Sequence, residues 1–402
     1  MTELLVIDVG SRRISAAVAI INEDGQIDVT GLGCVRSSGL KQGVIIQIDS
    51  VVDALKRAVA EANAMAGTRL SHPIISVGGA HLKGQNVSGS VNLNYSEVTD
   101  TVLTRTMEDI QSKASVPNRE ILSVIPHPFI LDSQSGIRSP HGMIGNQLKV
   151  HAHVITGASN VINNIKTSLR LANLEASLFV PSAVAVGQLL FQDERELGVC
   201  VVDIGLDTTD LMVISNGAPK WLEVLPIGGE SLTNDLAVAL KTPLSGAEQL
   251  KLQHGFAHTS LAPMSGFVQV NKRSDRQAEQ ISFQQLTAFL QPRVEEIAEI
   301  IADKLLVIGR LGDASTGFVL TGGTAQLPGI TQVFESVLQY PCRVLQRTHQ
   351  EGLTGLLRDP AHAVLAGLIQ YGKDQEIQPK TSWLGIHGSM FDRMQKWIRG
   401  NF

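Results

Sequence analysis

Two aspartates, Asp8 and Asp203, sit in the same short context: an apolar run, then Asp-x-Gly, a polar turn and a second apolar run. Sliding the chain by 195 residues lays LLVIDVGSRRISAAVAI (4–20) onto VCVVDIGLDTTDLMVIS (199–215), with Asp8 on Asp203 and Gly10 on Gly205. Each stretch reads as a β-hairpin with a carboxylate at its tip. Glycine at that turn permits close approaches that a side chain forbids. Backbone N–H groups clustered in a tight turn form a concavity for phosphate oxygens. A bare carboxylate beside phosphate repels it, and a Mg²⁺ ion between them, partly ligated by water, removes the conflict. A single such hairpin is also what an ordinary Asp-Gly turn looks like. Two of them, opening two related halves, read as a clamp on a nucleotide's phosphate tail, with Asp8 and Asp203 on the metal side.

A third element follows in GFVLTGGTAQLPGI (317–330): an apolar strand, then Gly322-Gly323-Thr324, then a helix signalled by Pro328. Paired glycines let backbone lie flat against a planar ring such as adenine, and a helix start favours polar or anionic ligand atoms.

The elements that position these residues need length. The 402 residues allow two or more domains, and 43% hydrophobic with 18% charged residues suits a globule with a sizeable core. A net charge of −5 argues against a general nucleic-acid binder. The cysteines, Cys34, Cys200 and Cys342, are sparse and show no metal-ligand spacing, which fits a reducing cytoplasm. The start, MTELLVIDVG, has no basic n-region or cleavage site. No run reaches the roughly 20 apolar residues of a membrane span, so any membrane contact is expected to be peripheral.

Coarse periodicity fills in the rest. Strand-rich stretches at 75–99, through HPFILD (127–132) and at 149–157 form an insert in the first half. Its helix is read over 96–114, with Ser96 and Thr99 as caps. Apolar residues at 161, 162, 165 and 169 mark one face of a helix. A helix is read over 289–306, with Pro292 in its first turn. Residues 373–388 read as a polar linker.

Beyond the linker, a helix over 389–399 gathers Met390, Phe391, Met394, Trp397 and Ile398 into one stripe. Arg393, Lys396 and Arg399 flank it. A bulky apolar stripe with basic edges suits lying in an anionic membrane leaflet. Each side chain gives at most about 1.5–3 kcal/mol, so one anchor binds reversibly and many linked copies retain far better by avidity.

The order of hairpin, hairpin and strand-Gly-Gly-helix resembles the actin/Hsp70/sugar-kinase ATPase superfamily. Within it, DERELGVCVVDIG (193–205), VLPIGGESLTNDLAVAL (224–240), SGAEQLKLQHG (245–255), FVLTGG (318–323) and AVLAGLIQYGK (363–373) resemble the bacterial cell-division actin homologue FtsA. The resemblance runs along nearly the whole chain. It implies an α/β, actin-like fold of two duplicated ribonuclease-H-like halves, with an FtsA-type inserted subdomain and a C-terminal amphipathic helix. The implied division is subdomain 1A at 1–78 and 158–194, 1C at 79–157, 2A at 195–226 and 303–372, and 2B at 227–302. The linker then occupies 373–388 and the membrane-targeting helix 389–402.

The resemblance also implies ATP and Mg²⁺ held by Asp8, Gly10, Ser11 and Arg12 on the first hairpin and by Asp203, Gly205, Leu206, Asp207 and Thr208 on the second. Gly322, Gly323 and Thr324 take the adenosine, and Glu248 and Lys251, on one helix face, take the ribose. Subdomain 2B implies a site for the C-terminal tail of the tubulin-like ring protein FtsZ, with Arg293, Lys272 and Arg273 as contacts; a solvated charged loop and helix is the alternative reading of these residues. Self-association into a filament, contacts of 1C with later-acting division proteins and a place on the cytoplasmic side of the inner membrane at the division site complete the expectation. An actin-like pilus or secretion scaffold and a small-molecule kinase of the same fold are the alternatives.

Two departures stand out. Relatives commonly carry Gly-Gly-Gly-Thr at the second turn, where this chain has Gly205-Leu206-Asp207-Thr208. Hydrolytic relatives carry Glu-Pro between the halves, where this chain has Val180-Pro181. A missing water-orienting carboxylate typically slows turnover about 10²–10⁴-fold, so hydrolysis is expected to be weak or negligible.

Overall fold

The strand Thr2–Val9 turns at Gly10 and returns antiparallel as Arg13–Ile21, with Asp8 opposite Ser15. The strand Val199–Ile204 turns at Gly205 and returns as Thr209–Ser215, with Asp203 opposite Asp210. The two hairpins therefore have one register. A computed structural model describes residues 1–270, 279–346 and 351–376.

Each hairpin is the middle of a five-stranded sheet with the same order. In the first, Leu178–Pro181 and Ile74–Val77 run parallel beside the first strand, and Ile27–Arg36 closes the antiparallel side. In the second, Cys342–Val344 and Phe318–Thr321 run parallel, and Ala218–Leu225 closes the other side. Inner strands covered on both faces must be apolar throughout, and Leu5, Val6 and Ile7 are buried like Val201, Val202 and Leu320. The duplication seen in the sequence is thus a duplication of whole sheets.

Helices cover the faces. Ile48–Ala66 lays Val51, Leu55, Ala58 and Ala62 on the first sheet and ends at Gly67 in left-handed conformation. Ser159–Leu171 buries Val161, Ile162, Ile165 and Leu169, as its spacing predicts. The long helix Phe283–Val307 begins before the expected 289, because Ser282 and Gln285 close a capping box. Pro292 is therefore well inside this helix and not in its first turn.

The insert is a separate five-stranded sheet of Lys83–Glu97, Arg119–Pro126, Phe129–Leu131, Gln134–Ile137 and Ile144–Ala158. The helix Asp100–Ala114 packs on it through Leu103, Met107 and Ile110. This helix starts at 100 and not 96: Ser96 lies in a strand, its hydroxyl bonded to the Leu93 carbonyl, and the Thr99 side chain makes no capping bond. The strand Ile74–Val77 belongs to the first sheet and not to that of the insert. The insert also leans on the second half. Asn86 donates to the Lys220 carbonyl, His127 bonds the Pro219 carbonyl, and Arg138 pairs with Glu196 at 3.0 Å.

The last helix, Ala363–Glu376, packs against the first strand and the short helix Ser182–Gly187. Residues from 363 on therefore rest on the first half, although the expected boundary left 303–372 in the second. Helix also continues through 373–376, where a linker was expected.

Candidate functional site

Both hairpin tips open into one cleft of about 320 Å³ between the halves. Asp8, Gly10, Ser11 and Arg12 line it from the first hairpin, and Asp203, Gly205, Leu206, Asp207 and Thr208 from the second. Glu248, Lys251, Gly322, Gly323 and Thr324 complete the wall. All fourteen residues assigned to nucleotide or metal in the sequence are thus brought together.

The two turns are built alike. The Gly10 amide donates to the Arg13 carbonyl at 3.1 Å, and the Gly205 amide to the Thr208 carbonyl at 2.9 Å. Among the described residues, the amides of Ser11, Arg12, Leu206, Asp207 and Thr208 have no protein acceptor. Such groups at the rim of a cleft are donors for an anion. The second turn is tied down from behind: its Gly205 carbonyl accepts from Gly229 and Thr324, and its Leu206 carbonyl from Glu230. Leu206 and Asp207 therefore do not loosen the loop. The Asp207 carboxylate crosses the cleft to accept the Gln42 amide at 2.5 Å.

Behind the tips lies a group of carboxylates. Asp8 accepts the Ser76 hydroxyl at 2.7 Å. Its pKa is raised by burial, only partly offset by Ser76 and Arg13. Burial, and then the charge of Asp8, push Asp203 up to about 7. Asp210 is raised well above the usual carboxylate range by burial, and then by Asp203, Asp8 and Asp207. Its Oδ1 is buried without a hydrogen-bond partner.

Asp210 escaped the sequence reading. Its signal was an acid inside the apolar run of the second hairpin, at the register position that Ser15 holds in the first. Gly78, Gly79 and Ser182 also line the cleft, and Ser76 backs it through Asp8, all from short segments that carry no motif.

Mutually repelling, poorly solvated carboxylates favour a cation beside them, and the donor set limits which. No group of three or more His, Cys, Asp or Glu among the described residues is arranged to hold a metal alone. Mg²⁺ keeps several waters and takes one or two carboxylates together with ligand phosphates, and Asp8 and Asp203 both line the cleft.

On the facing wall, Lys251 is buried, with Nζ 2.8 Å from the Gly229 carbonyl, 2.8 Å from Thr233 Oγ1 and 2.7 Å from Glu248. Burial lowers its pKa and Glu248 pulls it back. Burial alone would raise Glu248, but Lys251 and Thr233 hold it below its usual value. Glu248 also pairs with Arg12 of the first hairpin, a bridge across the mouth of the cleft. This pair of helix residues is therefore part of the cleft and not a solvated surface salt bridge.

Gly322 is held at φ 86, ψ 169, and its amide donates to the Pro360 carbonyl. After the glycines comes a short 3-10 turn, Gly323–Gln326; the α-helix begins only at Ile330, two residues past Pro328.

Arg293 lies away from the cleft. It is bonded to Asp235 at 2.6 and 3.0 Å and also to Glu296. Three of its five N–H donors are thus engaged. Lys272 and Arg273 lie outside the described residues, as do Met390, Phe391, Arg393, Met394, Lys396, Trp397, Ile398 and Arg399.

Comparison with known proteins places this geometry. A family model described as cell division protein FtsA matches residues 200–367, and one described as the SHS2 domain inserted in FtsA matches 79–156. The chain is 32% identical over 407 residues to cell division protein FtsA of Pseudomonas aeruginosa, covering 98% of this chain and 97% of that one. The protein of the same name from Escherichia coli is 29% identical over 408 residues, covering 98% and 97%.

Among solved structures, a PilM–PilN type IV pilus biogenesis complex has a TM-score of 0.66 at 16% identity, covering 92% of this chain and 99% of that one. MreB5 of Spiroplasma citri bound to ADP has a TM-score of 0.57 at 15% identity, covering 93% and 97%. These likenesses are of fold, and the fold is actin-like. With identity spread over almost its whole length and the family's inserted domain in place, the chain belongs to the FtsA family of actin-like cell-division proteins.

Proposed function

We propose that this chain binds Mg²⁺–ATP in the cleft, polymerises, and tethers the FtsZ ring to the inner face of the cytoplasmic membrane. The observation that carries the reading is the convergence of both carboxylate-tipped hairpins, the glycine pair and the buried Lys251 on one cavity. Amides of both turns would hold phosphate oxygens. Asp8, Asp203 and Asp210 would face the hydrated metal, which supplies charge neutralisation between carboxylates and phosphates. Gly322, Gly323 and Thr324 would flank adenosine, with Glu248 and Lys251 toward the ribose. Val180 supplies no carboxylate to orient an attacking water, so hydrolysis is expected to be slow.

Anchoring is assigned to the stripe of Met390, Phe391, Met394, Trp397 and Ile398 with Arg393, Lys396 and Arg399 at its edges. No helix among the described residues is long and apolar enough to cross a membrane. The test compares the full chain with one ending at Glu376, sedimented with anionic liposomes and ATP. The full chain should pellet with the vesicles and the shortened one remain in the supernatant. Equal pelleting would remove the anchor.

The FtsZ tail is assigned to the upper part of the second half, around Arg293, with Lys272 and Arg273. Asp235 holds the guanidinium in a fixed pose while two N–H donors remain for a peptide carboxylate. Arg293→Glu should weaken binding of an FtsZ-tail peptide at least tenfold, with melting temperature recorded alongside. Unchanged affinity in a folded variant would displace the site. The likeness to a pilus protein is one of fold only, and no observation favours a small-molecule kinase.

A further inference from the structure

Outside the machinery described so far, Cys34 is the thiol placed for chemistry. It lies on the strand Ile27–Arg36 and is exposed. Its Sγ is 3.5 Å from His362 Nε2 and 3.5 Å from the Ser15 hydroxyl. On the other side of the imidazole, Nδ1 is 3.8 Å from Asp359. The imidazole is hydrogen-bonded to the Leu356 carbonyl, and the carboxylate beside Nδ1 favours the proton on that side through its charge, leaving the Nε2 lone pair toward the thiol. Asp359 is itself fixed, accepting from Arg13 at 3.1 Å, from Gln326 at 2.9 Å and from the Ala361 amide at 2.9 Å. Nucleophile, base and a third group orienting the base are the three parts of an activated thiol.

We propose that Cys34 is a reversible S-thiolation site, with His362 as its base and Asp359 as the positioning residue, reacting with disulfides of small thiols. His362 Nε2 takes the S–H proton, and the thiolate attacks one sulfur of R–S–S–R. That S–S bond breaks as the Cys34–S–S–R bond forms. The proton passes from His362 to the departing thiolate as R–SH. Cys34 is oxidised, the leaving sulfur is reduced, and no other reactant is needed.

The surroundings support a resting neutral base. Burial, and then Arg13, lower the His362 pKa, with Asp359 and the Leu356 carbonyl opposing them. Burial alone would raise Asp359, but the Ala361 amide and Arg13 keep it below its usual value, so it stays charged. The charged groups about the thiol are Arg13 from the neighbouring strand, Arg36 two residues along its own strand, and Asp359 and His362 from the segment before the last helix. The other two cysteines are poor competitors. Burial pushes Cys342 up to about 12 and raises the fully buried Cys200 further.

The test is exchange of the full chain with 4,4′-dithiodipyridine, followed by pyridinethione release and intact mass. One thiol per chain should react fast, adding one mixed disulfide that a reducing agent removes, and Cys34→Ser should abolish it. The wild-type rate should already be at half its plateau below pH 6.5, where the base titrates, and not near pH 8.5, where an unassisted thiol ionises. His362→Asn should slow exchange at neutral pH by about tenfold or more, with its circular dichroism melt as the check on folding. A fast thiol that survives Cys34→Ser, or a wild-type midpoint near pH 8.5, would overturn the assignment; the pH midpoint needs no variant to fold.

Discussion

Gly322→Ala should destabilise the chain by on the order of 2–6 kcal/mol and remove nucleotide binding with it. The backbone there lies at φ 86, ψ 169, a region essentially reserved for glycine, with a cost of order 1–3 kcal/mol for other residues. Space compounds the strain. A Cβ would sit 2.4 Å from Asp203 Oδ1 and 2.5 Å from the Ile204 carbonyl oxygen, both well inside contact distance. Forcing atoms into a packed site costs about 1–3 kcal/mol more. The displaced group is one of the proposed metal-side carboxylates, so any ATP binding should fail even where the fold survives. The neighbouring Gly323→Ala is the control, because its Cβ would meet only Ala361 Cβ at 3.7 Å. Urea unfolding of both variants, with ATP binding by calorimetry, measures the contrast. A Gly322→Ala protein within about 1 kcal/mol of wild type would show that the strand-to-turn geometry drawn here is wrong.

Free of metal and nucleotide, the wild type should lose roughly 2–3 kcal/mol relative to Asp203→Asn between pH 5 and pH 8. The sign follows from the direction of the shifts. Asp8, Asp203 and Asp210 all have folded pKa values above their unfolded one, and Asp203 reaches about 7. Between about pH 4 and 7 these carboxylates thus bind more protons in the folded chain than in the unfolded one. The contribution of these carboxylates falls as pH rises through that window, while His127 and His153, lowered by burial to about 4, contribute with the opposite sign. Asp203→Asn, which carries no charge at any pH, should flatten the slope and stabilise the metal-free protein at pH 8. Mg²⁺–ATP should restore stability to the wild type at pH 8 and do much less for the variant. Chemical denaturation at the two pH values measures this. Wild-type and Asp203→Asn profiles with the same slope would mean that Asp203 is better solvated than its position in the cleft implies.

What could be read in advance has a physical pattern. The twin hairpins were legible because strand alternation, the Asp-x-Gly turn and the 195-residue shift are all local in sequence. The identical strand order of the two sheets followed from that duplication. Asp210 was hidden because its importance comes from lying between Asp203, Asp8 and Asp207, a relation that exists only after folding. Ser76 and Ser182 were hidden for the same reason. The start of the long helix was misplaced because Pro292 looks like a first-turn residue, while Ser282 and Gln285 supply a stronger cap earlier. The Glu248–Lys251 spacing revealed a shared helix face, but the bridge to Arg12 joins residues 236 positions apart.

The insert grips the opposite half through main-chain carbonyls of the strand Ala218–Leu225, by way of Asn86 and His127, and through the Arg138–Glu196 pair. It therefore works as a brace rather than a pendant. Any rotation of one half against the other would have to stretch or break these three links.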